Sequence, residues 1–145
     1  MNIINDILNN KMITLMVSIW IIIQIFKFLV DFIKYRKVNF RRLVGSGGMP
    51  SSHSAVVTCL ATTVGILEGF SSSQFALAVG FALVVMYDAA GVRRAAGRQA
   101  RILNQLISSN KKIDNNEKLK ELLGHTPIEV AVGAVVGVIW AVVML

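Results

Sequence analysis

From Met12 to Val30 the chain is apolar, interrupted by Ser18, Gln24 and Lys27. About 20 such residues span a bilayer. The pattern then returns three times, at Ala55–Leu67, Phe75–Tyr87 and Ile128–Leu145. Charged residues make up only 16% of the 145, against about a quarter in a soluble domain. Mean hydropathy is +0.63. These features predict an all-α integral membrane protein, folded as one membrane-embedded domain over residues 1–145.

The expected elements follow from local signals. A first transmembrane helix is predicted at about 12–33. Asn2 to Asn10 has no basic leader and no small-x-small cleavage site follows, so this helix reads as retained rather than cleaved. Lys27, Asp31 and Lys34 lie near its end, where long cations snorkel to the interface. Ser51 or Ser52 caps a second helix at about 52–68, stopped by Gly69. Ser71 to Ser73 supplies the cap of a third, over 75–87, antiparallel to the second. Residues 92–108 repeat apolar side chains at helical spacing and predict an amphipathic helix on the membrane surface or in the cytoplasm. Ser108 to Glu117 is a polar loop and about 117–123 a short helix. Thr126 and Pro127 then form a cap and first-turn pair for a fourth transmembrane helix, 128–145. The expected architecture is a helical bundle of about four transmembrane helices plus the amphipathic one.

The loops at 34–52 and 91–124 carry the cations, and the connection 68–74 carries none. The positive-inside rule puts both basic loops in the cytoplasm and both termini outside. It also accounts for the net charge of +7. The aromatic residues lie in the apolar runs rather than among the cations, so nucleic acid is not an expected partner. Cys59 is alone in an apolar run and implies no disulfide framework.

One consequence of this topology concerns chemistry. His53, Asp88, Arg93, Arg94, His125 and Glu129 all fall at cytoplasmic helix ends. His125 and Glu129 stand four apart and share a helix face. A carboxylate on one ring nitrogen raises the basicity of the other, which suits a nucleophile or general base. The bland reading of the pair is an interfacial histidine and a helix-dipole acid. His53 follows the glycine-rich stretch Gly45–Gly48, whose Gly47 and Gly48 let backbone approach an anion. Protonation of a leaving oxygen is a role open to it. Asp88 beside Arg93 and Arg94 suggests an oriented guanidinium able to grip a phosphate. The Gly133-x-x-x-Gly137 spacing suggests close helix packing.

These residues resemble a known set. Pro50-Ser51-Ser52-His53 looks like the Pro-Ser-Gly-His motif of the type 2 phosphatidic acid phosphatase and vanadium haloperoxidase superfamily. His125 with Glu129 looks like its last motif, and Lys34 with Arg41 is similar to its first. The strings GGMPSSHSA, YDAAGVRR and LLGHTPIEV resemble the divergent, small-protein branch, over about 34–137. The resemblance implies a metal-independent phosphatase without cofactors, acting through a phosphohistidine. Carried over, His125 is the nucleophile, Glu129 its orienter and His53 the general acid. Lys34 and Arg41 become phosphate ligands, joined by Arg93, Arg94, Ser52 and Gly48, with Asp88 in support. The chain departs from the pattern at Arg42 (usually Pro), Ser52 (Gly), Glu129 (Asp) and Leu119, where an Arg is usual. Arg93 or Arg94 is expected to replace that arginine.

The resulting expectation is a multi-pass cell-membrane phosphatase with its site at the cytoplasmic leaflet. Its substrate class is a lipid phosphomonoester of the phosphatidic acid or phosphatidylglycerophosphate type. Four helices leave little to enclose a site, which makes a homodimer an expectation too. Two alternatives stand beside it: a divalent-metal hydrolase using His53, His125, Asp88 and Glu129, and a non-catalytic lipid-binding or scaffold protein.

Overall fold

The computed structural model describes residues 2–36, 48–109, 119, 121 and 123–145. Among them every regular element is helical: α1 Ile3–Leu8, α2 Lys11–Tyr35, α3 Ser52–Glu68, α4 Ser73–Ala90, α5 Val92–Ser109 and α6 Pro127–Met144.

Local chemistry sets the boundaries. The Asn10 carboxamide accepts from the amides of Met12 and Ile13 at 3.0 and 3.3 Å, so α2 starts at Lys11. It closes at Arg36, whose left-handed backbone (φ 53°) returns its N–H to Phe32. Ser51, rather than Ser52, caps α3 by accepting from the Ser54 amide. In the tight α3–α4 turn, Gly69 sits at φ 91° and its carbonyl accepts from Ser72, which then caps α4 through the Phe75 amide. Thr126 and Glu129 form a capping box at the start of α6, with Pro127 in its first turn.

Two expectations differ from the fold. A short helix, α1, precedes the first long one. The helix expected at about 117–123 does not form at Leu119, Glu121 or Leu123. There the Asn104 carboxamide both donates to the Leu119 carbonyl (2.9 Å) and accepts its amide (3.0 Å). It thereby takes the backbone groups that a helix would use internally. The polar loop at 108–117 lies mostly outside the described residues, as do Gly45 to Gly47, Arg41 and Arg42.

α3 is the middle of the bundle and packs against α2, α4 and α6. Its small residues permit this. Gly137 of α6 stands so close to Ala55 and Thr58 that a Cβ there would collide with both. The Thr58 hydroxyl donates across the contact to the Ala134 carbonyl at 3.0 Å. Leu15, Ile19 and Ile23 of α2 meet Ala55, Cys59 and Ala141 in one buried cluster. The Trp140 indole donates to Ser18, tying α6 to α2. Large apolar side chains such as Phe81 and Ile139 point outward. Such a surface is a liability in water and an ordinary one in lipid.

Three stretches are long and apolar enough to cross a membrane: Lys11–Tyr35, Ser73–Ser109 (which contains α4) and Pro127–Met144. α3, at 17 residues, spans only about 25 Å and is enclosed by its neighbours. The chain is a helical, multi-pass membrane protein.

Candidate active site

Three helix ends meet at one end of the bundle. The Ser51 amide donates to the Glu129 carbonyl (3.0 Å), joining the start of α3 to α6. The His125 amide donates to the Ala89 carbonyl (2.9 Å), joining the approach to α6 to the end of α4. Gly124, at φ 80°, lies so close to the Arg93–Arg94 backbone that no side chain would fit. Gly97 lies equally close to the carbonyl of Glu121. The start of α5 is therefore pinned beside His125.

His125 is 2% exposed. Its Nδ1 lies 3.2 Å from the Glu129 carboxylate, whose same oxygen accepts the Thr126 amide at 3.0 Å. A carboxylate can only accept, so Nδ1 carries the proton and Nε2 holds the lone pair. Burial holds the ring below the ordinary histidine value. The bond to Glu129 opposes that shift, while the charges of Lys27 and Arg93 add to it. The His53 ring stands edge-on to it, with centroids 5.7 Å apart. Nε2 of His125 and Nδ1 of His53 are buried, with no hydrogen-bond partner among the described residues.

Asp88 receives the Nε–H of Arg93 at 2.5 Å, the acid–guanidinium pairing expected from their spacing. Arg94 instead lines a cleft of about 500 Å³ together with Gly48, Arg98, Arg101, His125 and Glu129. Ser52 is buried in the first turn of α3 and is not part of the cleft lining. Arg41 lies outside the described residues.

Lys34 stands apart from the cluster. It is exposed near the end of α2, its ammonium 5.2 Å from the Tyr35 ring centre. The buried cation of α2 is Lys27, 3% exposed and about two turns earlier, and its positive charge disfavours a proton on His125. By sequence alone Lys27 reads as a snorkelling cation. The available signal was its place mid-helix in an apolar run, where an ionisable side chain is costly. Arg98 and Arg101 likewise read by sequence as positive-inside charge. Their signal was the spacing from Arg94, which repeats on one helix face.

Among the described residues, no three His, Cys, Asp or Glu side chains gather into a group able to hold a metal ion. The arrangement provides a buried, oriented imidazole, a second imidazole beside it and a cation-lined cleft. That equipment suits transfer of an anionic group.

Comparison with known proteins agrees on lineage. The family described as "Divergent PAP2 family" matches residues 8–140. The chain is 42% identical over 134 residues to the "Uncharacterized membrane protein YuiD" of Bacillus subtilis (strain 168), covering 83% of this chain and 85% of that protein. No solved structure matches the chain. The chain belongs to the divergent PAP2 family.

Proposed function

We propose that this protein is a membrane phosphatase that hydrolyses a lipid phosphomonoester through a phosphohistidine. The observation that carries the reading is His125: buried, held at Nδ1 by Glu129, and set in the wall of an arginine-lined cleft. Nε2 of His125 attacks phosphorus and the P–O bond to the lipid breaks. His53, next to it, protonates the departing alkoxide. Water then attacks the phosphohistidine and releases inorganic phosphate. Arg93, oriented by Asp88, together with Arg94 and Lys27, balances the charge on the phosphoryl oxygens.

A lipid substrate is supported by a change of lining at adjacent residues. Gly48 lines the polar cleft, and Met49 and Pro50 line an apolar groove of about 330 Å³ shared with Ile22, Phe26 and Val132. An amphiphile with its phosphate in the cleft would lay an acyl chain in that groove. Along one row of α5 the side chains change from cationic to apolar: Arg94 and Arg98 line the cleft, and Ile102 and Leu106, both more than half exposed, follow at four-residue intervals. With α3 as a fourth crossing, both cationic loops and the site face the cytoplasm.

The test is phosphate release from detergent-solubilised lipid phosphates by the purified protein, with His125→Ala as the blank. Release should vanish in the variant, be blocked by vanadate and survive EDTA. Release that persists in His125→Ala sinks the phosphohistidine route, and loss to EDTA would transfer the chemistry to a metal.

A further inference from the structure

The cleft is longer than one phosphoryl group requires. Arg94, Arg98 and Arg101 all line it. At about 1.5 Å per residue they extend roughly 10 Å along α5, away from His125. Arg101 is engaged: its Nε lies 3.4 Å from Glu121, which the Asn104 carboxamide also holds at 2.8 Å. Arg94 and Arg98 have no carboxylate partner among the described residues. They stand one turn apart, about 6 Å between Cβ atoms. Arg94 is fixed beside His125 by the close contact of its backbone with Gly124. Arg98 is therefore a second uncompensated guanidinium, one turn beyond the reacting centre, in the same cleft.

Positive-inside charge explains cations at this membrane face. It does not explain why they share one cleft with a buried histidine, or why the outermost is held in place by an acid.

We propose that Arg98 forms a second anion subsite, so that the substrate is a lipid whose headgroup carries two phosphoryl groups about one helical turn apart: a terminal monoester hydrolysed at His125 and an inner diester held by Arg98. The subsite rests on the phosphatase reading for its purpose, but not for its test. A glycerol bridge sets the two phosphoryl groups farther apart than a direct anhydride does, nearer the spacing of Arg94 and Arg98 along α5. After hydrolysis the diester stays on the lipid, and with the terminal phosphate gone only one anionic contact remains to hold the product.

The experiment is equilibrium binding to the full chain in detergent, using as probes short-chain phosphatidylglycerophosphate and short-chain phosphatidic acid with a methylene in place of the scissile ester oxygen, and the parent esters for turnover. It is done on wild type, Arg98→Gln and Arg98→Lys, with phosphate release followed in parallel. The two-phosphate lipid should bind wild type at least about tenfold more tightly, as expected for one charge-assisted contact. Arg98→Gln should erase that preference and Arg98→Lys should retain part of it. Equal affinities in wild type, or a preference that persists in Arg98→Gln, overturn the subsite. Preferential binding without phosphate release would uphold the subsite and count against hydrolysis alone.

Discussion

The amide of Ser51 donates to the carbonyl of Glu129 at 3.0 Å, and through that bond the helix carrying His53 is registered against the one that follows His125. The contact is close because residue 133 is glycine. A Cβ there would collide with the Ser51 carbonyl oxygen. The placement of His53 and His125 and the α3–α6 packing are therefore one feature of the fold.

Gly133→Ala should separate the two helices. Overpacking of this kind costs about 1–3 kcal/mol, a fall in Tm of about 5 °C for a chain this size. Gly80→Ala is the comparison, since nothing lies within 4 Å of a Cβ at Gly80 in α4. It should leave Tm unchanged or slightly raised, alanine being the better helix former. Thermal unfolding in detergent measures both. Equal shifts in the two variants would mean that the α3–α6 contact is not specific.

Lys27 and Lys34 make opposite predictions. Lys27 is buried within the bundle, where its charge bears on His125, whereas Lys34 is exposed beside Tyr35. Lys27→Met should lower phosphate release about 100-fold, the scale of losing one positioned cation or donor. Lys34→Met should stay within about twofold, because a solvated cation away from the site contributes little. Steady-state rates on one lipid phosphate decide it, and a larger loss at Lys34 would make Lys34, not Lys27, the phosphate ligand.

Asp88 accepts the Nε–H of Arg93 at 2.5 Å. Asp88→Asn should therefore lower the rate when Arg93 is present and change little when Arg93 is already glutamine. A double-mutant cycle on kcat/KM reads this coupling. Independent, additive losses would show that Asp88 has a separate part in the site.

How much of this could be read beforehand depended on the range of the interaction. The caps at Ser72 and Thr126, and the His125–Glu129 pair, are local and were visible as spacing. The choice between Lys27 and Lys34 was not. Both lie on one face of α2, seven residues apart, and only the packing of α2 against its neighbours decides which is buried. Leu119 stays out of the expected helix for a similar reason, since the residue that captures its backbone is Asn104, fifteen positions earlier. The arginine cleft was hidden differently. Membrane topology already explained its cations, so charge alone could not separate a ligand from a positive-inside residue.

His125 connects burial to pH. In the unfolded chain its ring takes up a proton near pH 6.5, as an unperturbed histidine does at about that value. In the fold, burial lowers that point, against the pull of Glu129. Between the two values the unfolded chain binds more protons, so acidification favours unfolding. Stability should fall as pH drops below about 6.5 and level off once the folded ring is also charged. His125→Asn should flatten that slope in a pH series of Tm. Activity has the same origin. Nε2 keeps its lone pair until the folded ring is protonated, so the acid limb of kcat/KM should lie below about pH 6.5. Glu129→Gln removes the carboxylate that raises the ring's affinity for protons. It should move the limb to still lower pH while reducing the plateau about 100-fold, because the ring loses its anionic orienter. A limb that stays in place or moves upward in Glu129→Gln would show that Glu129 serves α6 as a cap and does not tune His125.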